Sequence, residues 1–294
     1  MKVSVIIPNY NHSPFLEQRI QSVLNQTYRD FEVIILDDCS TDNSREIIEN
    51  FRGHEKVSEI VFNEQNSGST FKQWEKGISL AKGEWIWIAE SDDWCELNFL
   101  EEVTKDEVTS SADIVISYCG SIVFSENRII GYPKAKYFNR QLNGLDFIRE
   151  DLSKGNSINN ASMCIFRKLA VPDFQLIREY KFCGDWLFWI MLSEKGLIRY
   201  SGKCLNYFRK HGSDVSGNSY RSGIFHKEFL EILKYLKGKN HITHSQFTDR
   251  AYIQFQNTKI IDDLNTRKSI KKIYRSKIGG LRILKNRVKN LLGY

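Results

Sequence analysis

The stretch 84–94 reads Glu-Trp-Ile-Trp-Ile-Ala-Glu-Ser-Asp-Asp-Trp. Its first part, 85–89, is too short for a typical helix and is rich in aromatic and β-branched residues, which predicts a buried strand. Three carboxylates follow closely, at Glu90, Asp92 and Asp93. In open α/β folds, ligands bind at the edge of the sheet where parallel strands end. The stretch therefore predicts a parallel sheet with an acidic site at its carboxyl edge.

These carboxylates have two interpretations. Acidic side chains that lie close together repel one another, and a divalent cation such as Mg²⁺ or Mn²⁺ relieves that repulsion through hard oxygen ligands. On this interpretation the stretch holds a phosphorylated ligand through a metal ion. The alternative is a solvated acidic turn in which Asp92 or Asp93 caps the following helix.

Similar strands precede this stretch at regular intervals. The ranges 3–8, 31–36 and 57–62 are apolar and rich in β-branched residues, and apolar residues recur at helical spacing between them. Strands that alternate with helices in this way predict right-handed βαβ units and a parallel sheet. The second strand also ends in two aspartates. We therefore predict a nucleotide-binding α/β half over residues 1–95.

The rest of the chain has a different pattern. It predicts a helix near 96–109, short strands at 114–118, 121–124 and 128–130 with turns between them, an aromatic-rich helix at 185–194, a strand within 197–208, and helices from 224 onward. No linker rich in Pro or Ser separates the two halves. We therefore predict one compact body over 1–218, with 96–218 as its second half, and a helical carboxyl-terminal region over 219–294.

The composition restricts the class of protein. With 41% apolar and 13% aromatic residues among 294, the chain can bury a sizeable core. Its six cysteines form no zinc-binding pattern, which predicts reduced thiols in a cytoplasmic protein. We expect no signal peptide and no membrane span. The net charge is +6, but ten Lys and Arg residues and no acids follow Asp263, so the main body is acidic and is not expected to bind nucleic acid.

Four stretches carry a resemblance to a known family. They are VSVIIPNYN at 3–11, QTYRDFEVIILDDCSTD at 26–42, AESDD at 89–93 and GDWLFW at 184–189. In this order they resemble the family 2 glycosyltransferases, which are inverting, nucleotide-sugar-dependent enzymes of the GT-A fold. The resemblance implies a Rossmann-like, mostly parallel sheet flanked by helices, to which this chain adds a helical extension.

The resemblance also implies roles for the acidic residues. Asp92 occupies the position of the family's metal ligand, for Mn²⁺ or Mg²⁺. Glu90 stands where the family usually has an aspartate, so we expect it to face the ribose or the metal, with Ser91 in the nucleotide site between the two acids. Asp185 matches the general base that activates the acceptor hydroxyl. Without the family, an N-cap role for Asp185 is the alternative.

The expected nucleotide pocket lies at the ends of the first two strands. Asp38 matches the family's base-binding aspartate, which pairs with a uracil-type ring. Pro8 and Tyr10 line the same pocket, where Tyr10 can stack on the base. The turn that contains Asn66 and Gly68 allows its backbone to approach the nucleotide closely.

Two further sites are expected in the second half. The segment 209–216 resembles a family loop in which a basic group approaches the metal, so His211 is a candidate metal ligand; a lone surface histidine is the alternative. Trp186 and Trp189 are candidates for an acceptor wall, since sugars stack on aromatic faces. Their helical spacing is equally typical of core packing.

The implied function is metal-dependent, inverting transfer of a sugar from a nucleotide-diphosphate donor, a UDP-sugar, to a hydroxyl of a glycan or lipid-linked glycan in surface polysaccharide biosynthesis. One alternative is a sugar-nucleotide pyrophosphorylase, which needs a glycine-rich loop after the first strand. Here that loop, 9–12, has no glycine. The other alternative is a non-catalytic nucleotide-sugar binding module, which does not require a base such as Asp185.

The last segment, 269–292, combines an apolar helical face with a face of Lys and Arg. A basic amphipathic helix suits an anionic membrane surface, where apolar insertion adds to roughly 1 kcal/mol per basic residue. We therefore predict peripheral attachment to the inner face of the cytoplasmic membrane. The alternative is a helix packed on the body with its charged face in water. The apolar positions are Ile270, Ile273, Tyr274, Ile278, Leu281, Leu284, Val288, Leu291 and Leu292.

Overall fold

The computed structural model describes residues 2–105, 108, 110–125, 128–133, 139–211 and 215–279, with the side chains of 215–218 excepted. The strands within these ranges are β1 (Val3–Asn9), β2 (Phe31–Asp37), β3 (Val57–Phe62), β4 (Trp85–Ile88), β5 (Trp94–Cys95), β6 (Ile114–Ser125), β7 (Arg128–Gly131), β8 (Arg140–Asn143), β9 (Cys164–Arg167) and β10 (Leu197–Lys210). They form one mixed sheet.

The helices surround this sheet. They are α1 (Ser13–Leu24), α2 (Ser44–Glu49), α3 (Thr70–Leu80), α4 (Phe99–Val103), α5 (Gly144–Phe147), α6 (Gly184–Ser193), α7 (Val215–Ser222), α8 (Ile224–Gly238), α9 (His244–Asn257) and α10 (Leu264–Ile278). A single apolar core joins the sheet to helices from both halves of the chain. No described helix is long and apolar enough to span a bilayer.

The sheet order is β3-β2-β1-β4-β9-β6-β10-β5, with β7 beside β6 and β8 beside β10. The first four strands run parallel, and each residue of β1, β2 and β4 is buried. A strand that is covered on both faces needs a nearly continuous apolar sequence. These three strands have one; the polar residues inside them are Ser4 and Glu32, and the Ser4 hydroxyl donates to Glu32 at 2.7 Å. The predicted fold class, an α/β sheet flanked by helices, is confirmed.

The second half is less parallel than the first. Strand β9 pairs antiparallel with both β4 and β6, and β5 pairs antiparallel with β10. Only β6 and β10 form a parallel pair there among the described strands. This mixed region attaches the second half of the chain directly to β4, the strand that delivers the acidic stretch.

One predicted break in the sheet does not exist. The strands expected at 114–118 and 121–124 are a single strand, β6. Gly120 lies between the two predicted strands, and its backbone passes close to neighbouring groups: a Cβ there would lie 2.8 Å from Pro133 and 3.0 Å from Cys204. Glycine within a strand can mark a close approach of this kind.

Two other local predictions need correction. The helix expected near 96–109 is shorter, because α4 ends at Val103. Its N-cap residue is Asn98, so neither Asp92 nor Asp93 caps a helix as the alternative for the acidic stretch proposed. Strand β5 begins directly after Asp93 instead.

The carboxyl-terminal helices pack together on the body. Helix α9 begins with a capping box between Thr243 and Gln246, which satisfies two backbone N–H groups. Helix α10 buries Ile270, Tyr274 and Ile278, and the Tyr274 hydroxyl donates to the main-chain oxygen of His226 at 2.6 Å. The first part of the predicted amphipathic tail is therefore packed on the protein, and residues after 279 lie outside the described part of the chain.

Candidate active site

Strands β1, β2 and β4 end side by side, because β1 pairs in parallel with both neighbours. Asn9 at the end of β1 lies opposite Asp37 of β2, and its side-chain amide donates to the Asp37 carboxylate at 2.8 Å. The main-chain N–H of Ala89, just after β4, donates to Ile6 at 2.8 Å. These strand ends form the edge at which the sequence predicted a ligand site.

A cleft of about 350 Å³ opens along this edge. Its volume falls within the range of roughly 300–1,000 Å³ that is usual for ligand pockets. The structure brings all seven residues predicted to bind the nucleotide into the lining of this one cleft. They are Pro8, Tyr10, Asp38, Asn66, Gly68, Glu90 and Ser91.

Asp38 is the buried centre of this cleft. Its Oδ1 accepts hydrogen bonds from the side chains of Asn63 (2.6 Å) and Gln73 (2.9 Å) and from the main-chain N–H of Ser67 (2.9 Å). Its Oδ2 accepts from the Ser67 hydroxyl at 2.8 Å. Asn66 donates to the main-chain oxygen of Asp38. The turn predicted to approach the nucleotide is thus held against this carboxylate, while Tyr10 stays 46% exposed at the mouth.

Next to this cleft, His12, Asp92 and His211 bring three potential metal-ligand atoms within 4.8 Å of one another. His211 Nε2 lies 3.1 Å from Asp92 Oδ2, and His12 Nδ1 lies 2.8 Å from the Ser91 hydroxyl. Burial opposes ionisation of Asp92, but the hydrogen bond with His211 and the nearby histidines outweigh it, so the pKa of Asp92 lies below its usual range. Burial also lowers the pKa of His12, which favours the neutral ring that a metal requires.

The β5–β10 pairing explains how such distant residues meet. Trp94 lies opposite Tyr207 in that pair, so Asp92 before β5 and His211 after β10 fall on the same side. Arg209 secures the junction: its guanidinium donates to the main-chain oxygen of Asp92 at 2.9 Å and lies 4.4 Å from the Trp94 ring. The rest of the loop that resembles the family, 212–216, has no described side chains.

The other two acids of the stretch face elsewhere. Trp74 donates to Glu90 at 2.9 Å, and burial, with the charge of Asp92, raises the pKa of Glu90 to about 8. Asp93 is completely buried and accepts from Asn160 (2.6 Å) and Ser162 (2.7 Å). Asp93 therefore ties β4 to the second half of the fold, and Glu90 lines the cleft without joining the His12, Asp92 and His211 group.

Asp185 lies in the first turn of α6, where the clefts continue from the sheet edge into the second half of the chain. Its carboxylate accepts from Asn156 at 2.8 Å and from the main-chain N–H of Trp186 at 2.7 Å. Burial outweighs these bonds and raises the pKa of Asp185 to about 7. The N-cap of α6 is Cys183, so Asp185 is not the capping residue. It lines both the cleft of about 250 Å³ beside Asp92 and a further cleft of about 440 Å³.

The two predicted acceptor tryptophans differ. Trp186 borders the further cleft, and its indole N–H donates to Leu152 at 2.8 Å. Trp189 is completely buried among Trp74, Phe166 and Phe188 and lines none of the described clefts. Its environment is that of a core residue, which corrects the expectation that it forms part of an acceptor wall.

His12 is one of two site residues that the sequence analysis missed. It was assigned only to a loop, although it follows the buried strand β1 in the same way that Asp38 follows β2. A search for metal-ligating side chains just beyond every parallel strand would have found it. Lys181, an exposed residue that lines both the nucleotide cleft and the cleft beside Asp92, was also missed.

Comparisons with known proteins agree with this arrangement. The sequence matches the family model "Glycosyl transferase family 2" over residues 4–170. It is 32% identical to the glycosyltransferase GlyG of Streptococcus pneumoniae over 61% of this chain and 58% of that protein. It is 27% identical to the putative teichuronic acid biosynthesis glycosyltransferase TuaG of Bacillus subtilis over 75% of this chain and 83% of that protein.

Solved structures show the same fold at low sequence identity. Residues 1–349 of Staphylococcus aureus TarS, in complex with UDP-GlcNAc, superpose with a TM-score of 0.63 at 19% identity, covering 94% of this chain and 92% of that one. The mannosyltransferase PcManGT of Pyrobaculum calidifontis, in complex with GDP-Man and Mn²⁺, gives 0.54 at 13% identity, covering 99% and 79%. Because the family model covers more than half of the sequence, and these relatives are glycosyltransferases, the chain belongs to glycosyl transferase family 2 and is a transferase enzyme.

Proposed function

We propose that this enzyme transfers a sugar, with inversion, from a UDP-sugar to a hydroxyl of a glycan, in a reaction that depends on a divalent cation. The observation that carries the proposal is the order of groups along one groove. The cleft around Asp38 comes first, the group of His12, Asp92 and His211 follows, and Asp185 stands at the entrance to the next cleft. A donor base, its diphosphate and an acceptor hydroxyl would need contacts in this order.

The donor proposal rests on the nucleotide cleft. Asp38 Oδ2 accepts one described hydrogen bond, from Ser67, and a carboxylate oxygen has capacity for a second bond, from the N–H of a uracil-type ring. Tyr10 is exposed at the mouth, where a base could stack. The similar TarS structure contains UDP-GlcNAc, which supports a UDP-sugar, whereas the similar PcManGT structure contains GDP-Man.

The side chains of His12, Asp92 and His211 fit a divalent transition metal better than Mg²⁺. The group offers two imidazole nitrogens and one carboxylate oxygen. Mg²⁺ disfavours nitrogen ligands, whereas first-row transition metals accept them. We therefore propose Mn²⁺ as the better of the two predicted ions. When bound, such an ion supplies Lewis-acid stabilisation to the charge of a departing diphosphate. Lys181 adds a positive side chain to the lining of the same cleft.

Asp185 is proposed as the general base. A base works best when its pKa lies near the working pH, and burial brings the pKa of Asp185 to about 7. Asn156 and the N–H of Trp186 hold its carboxylate in place. One base on the acceptor side supports a single displacement, and hence inversion. Glu90, with a pKa of about 8, is protonated near neutral pH and is a poor candidate for a nucleophile.

The acceptor proposal is a glycan or lipid-linked glycan of a cell-surface polysaccharide. The name of TuaG, a putative teichuronic acid biosynthesis enzyme, supports this class, and TuaG matches over 75% of this chain. We also propose that the enzyme acts in the cytoplasm, and that the residues after 279 attach it to the inner face of the membrane.

The experiment that tests this function is a screen of nucleotide sugars with the purified protein. Thermal stability is measured with UDP- and GDP-sugars, with and without Mn²⁺, since a ligand of the native state raises the melting temperature. Released UDP is measured in parallel. We expect stabilisation by UDP-sugars only when Mn²⁺ is present, and no such effect in Asp92→Ala. Equal stabilisation of both proteins, or no stabilisation by any donor, contradicts the proposal.

A further inference from the structure

Aromatic side chains form one wall of the cleft beyond Asp185, and none of them lines the proposed donor cleft. Tyr220, Phe225 and Phe229 follow one another along it, with ring centroids 4.3 Å apart for Tyr220 and Phe225 and 5.7 Å apart for Phe225 and Phe229. Trp186 continues this wall at 5.5 Å from Phe229. The cleft measures about 440 Å³ and begins at the carboxylate proposed as the base. Aromatic surfaces of this kind suit the apolar faces of sugar rings.

A second cleft of about 440 Å³ adjoins the first. The two share Tyr220, Phe225 and Gln254 in their linings, so the groove continues from Asp185 into the helical carboxyl-terminal region. Each cleft alone falls within the volume range of roughly 300–1,000 Å³ that is usual for a ligand. The combined groove therefore has room for more than the single sugar unit that carries the accepting hydroxyl.

A buried histidine in this second cleft points to a ligand. His226 is 1% exposed, and its ring nitrogens make no well-aligned hydrogen bond with a described residue; the Gln254 side chain interacts with this ring, and its oxygen makes no well-aligned bond either. Burial lowers the pKa of His226, and Gln254 lies close enough to oppose that effect. Buried polar atoms without well-aligned partners destabilise the folded protein. Gln254 lies at the cleft wall, where the hydroxyl groups of a bound sugar would form hydrogen bonds with such atoms.

Apart from Asp185, the charged side chains that line this groove are positive. Lys154 and Lys210 line the first cleft and Lys259 lines the second. Among the described lining residues of both clefts, Asp185 is the one carboxylate. A groove with positive side chains and aromatic walls fits a sugar chain that carries negative charge.

We propose that Asp185 lies at the inner end of an acceptor groove that extends to a distal subsite at His226, Gln254 and Lys259. This subsite binds an anionic oligosaccharide, carrying carboxylate or phosphate groups, at least one sugar unit away from the accepting hydroxyl. The proposal rests on the proposed function, because it assigns the acceptor of the same reaction. It adds the charge and minimum length of that acceptor.

The test is binding of the full-length protein to an array of microbial glycans that includes neutral, uronate-containing and phosphodiester-containing chains, from mono- to hexasaccharides. Gln254→Leu removes the amide with little change of volume, and Lys259→Gln removes the charge. Gln256→Leu on the same helix and Lys268→Gln on α10 are matched controls, since neither residue lines these clefts. UDP binding in the presence of Mn²⁺ is titrated for every variant.

We expect anionic chains of two or more units to bind best. Both groove variants should weaken that binding by about tenfold, the equivalent of one lost hydrogen bond or charge contact, and leave UDP binding unchanged. The controls should match the wild type. The subsite is wrong if no anionic chain binds, if neutral chains or monosaccharides bind as well as anionic oligosaccharides, or if the groove variants bind like the controls. Absence of UDP binding alongside normal glycan binding would instead count against the donor assignment.

Discussion

The proposed donor and acceptor regions of this enzyme are built differently. In the donor region, the functional side chains follow buried parallel strands, as Asp38 follows β2 and His12 follows β1. In the acceptor region, helices and loops supply the lining, as Asp185 does from α6 and Gln254 from α9. A strand end is fixed by its ladder of main-chain hydrogen bonds, whereas the relative position of helices depends on side-chain packing.

The central carboxylates of the two regions also differ in the number of hydrogen bonds that hold them. The Asp38 carboxylate accepts four hydrogen bonds from its own protein. The Asp185 carboxylate accepts two described ones, from Asn156 and from the main-chain N–H of Trp186. Asp185 therefore keeps more of its hydrogen-bonding capacity for a ligand than Asp38 does. Changes in the two regions should accordingly affect different steps.

The largest effect should come from Asp92→Ala. This change removes the carboxylate that His211 contacts, and with it the centre of the proposed metal site. We expect loss of Mn²⁺-dependent UDP binding and a fall in transfer of about 10³-fold, because metal stabilisation of the leaving group amounts to several kcal/mol. Calorimetry and a UDP-release assay measure the two effects. Asp173→Ala, at an exposed aspartate, is the control, and near-native turnover of Asp92→Ala with Mn²⁺ would disprove the metal assignment.

Asp185→Asn should impair the proposed acceptor region and leave the donor region unaffected. We expect donor binding with Mn²⁺ to stay close to that of the wild type while turnover falls by about 10²-fold or more, the usual contribution of a general base. Asp146→Asn, at an exposed carboxylate, should retain full turnover. If donor affinity and turnover fell together in Asp185→Asn, its role would be structural and the contrast between the regions would be lost.

The pH dependence of turnover should report the same residue. Because the pKa of Asp185 is about 7 and its ionised form is the active one, kcat at saturating donor and Mn²⁺ should fall about tenfold per pH unit below pH 7 and level off above it. Asp185→Asn should lack this acidic limb. A wild-type profile that is flat between pH 5 and pH 8 would exclude Asp185 as the titrating base.

Asp185→Asn should also stabilise the fold. The pKa of Asp185 is raised from an ordinary value of 3.8 to about 7, so the folded protein binds this proton more tightly than the unfolded chain does. The stabilisation that this bound proton gives the folded protein is complete below pH 4 and is lost as the pH rises through 7. A neutral asparagine avoids that loss, so we expect Asp185→Asn to be more stable than the wild type at pH 8 and equally stable near pH 4. Denaturant unfolding at the two pH values measures the difference, and equal stability at pH 8 would contradict the raised pKa.

The smallest effect should concern the tail after Gly279. A chain that ends at Gly279 keeps the buried residues of α10 and removes four basic residues, Arg282, Lys285, Arg287 and Lys289. At about 1 kcal/mol per basic residue, we expect the shortened chain to bind anionic liposomes more weakly than the full chain in flotation at low salt. Neutral liposomes are the control. Equal flotation of the two chains, or none by the full chain, would rule out attachment through the tail.

Much of the donor region could be predicted from the sequence, because its signals are local. The apolar run 85–89 followed by acids predicted both the strand and the position of Asp92. What could not be predicted is which way each acid faces. Glu90, Asp92 and Asp93 are neighbours in sequence, yet they contact Trp74, His211 and Asn160 respectively. Those contacts come from distant parts of the chain.

The acceptor region gave weaker predictions for the same reason. The pattern at 114–124 was predicted as two strands with a turn between them, because the close approach of Gly120 to Pro133 and Cys204 leaves no local signal that distinguishes it from a turn. Trp186 and Trp189 follow the same helical spacing in the sequence, but of the two only Trp186 lines a described cleft. The resemblance to the family identified Asp185; no periodicity in the sequence indicates the groove that continues to His226.

The pairing of the two-residue strand β5 with β10 has a consequence for the order of folding. Asp92 and His211 are 119 positions apart, and this pairing is what brings them together. Closing a loop of this length carries an entropic cost, so we expect this contact to form late in folding. A chain that lacks β10 holds His12 and Asp92 without their third partner. The proposed cation site would thus be complete only when both halves of the fold have assembled.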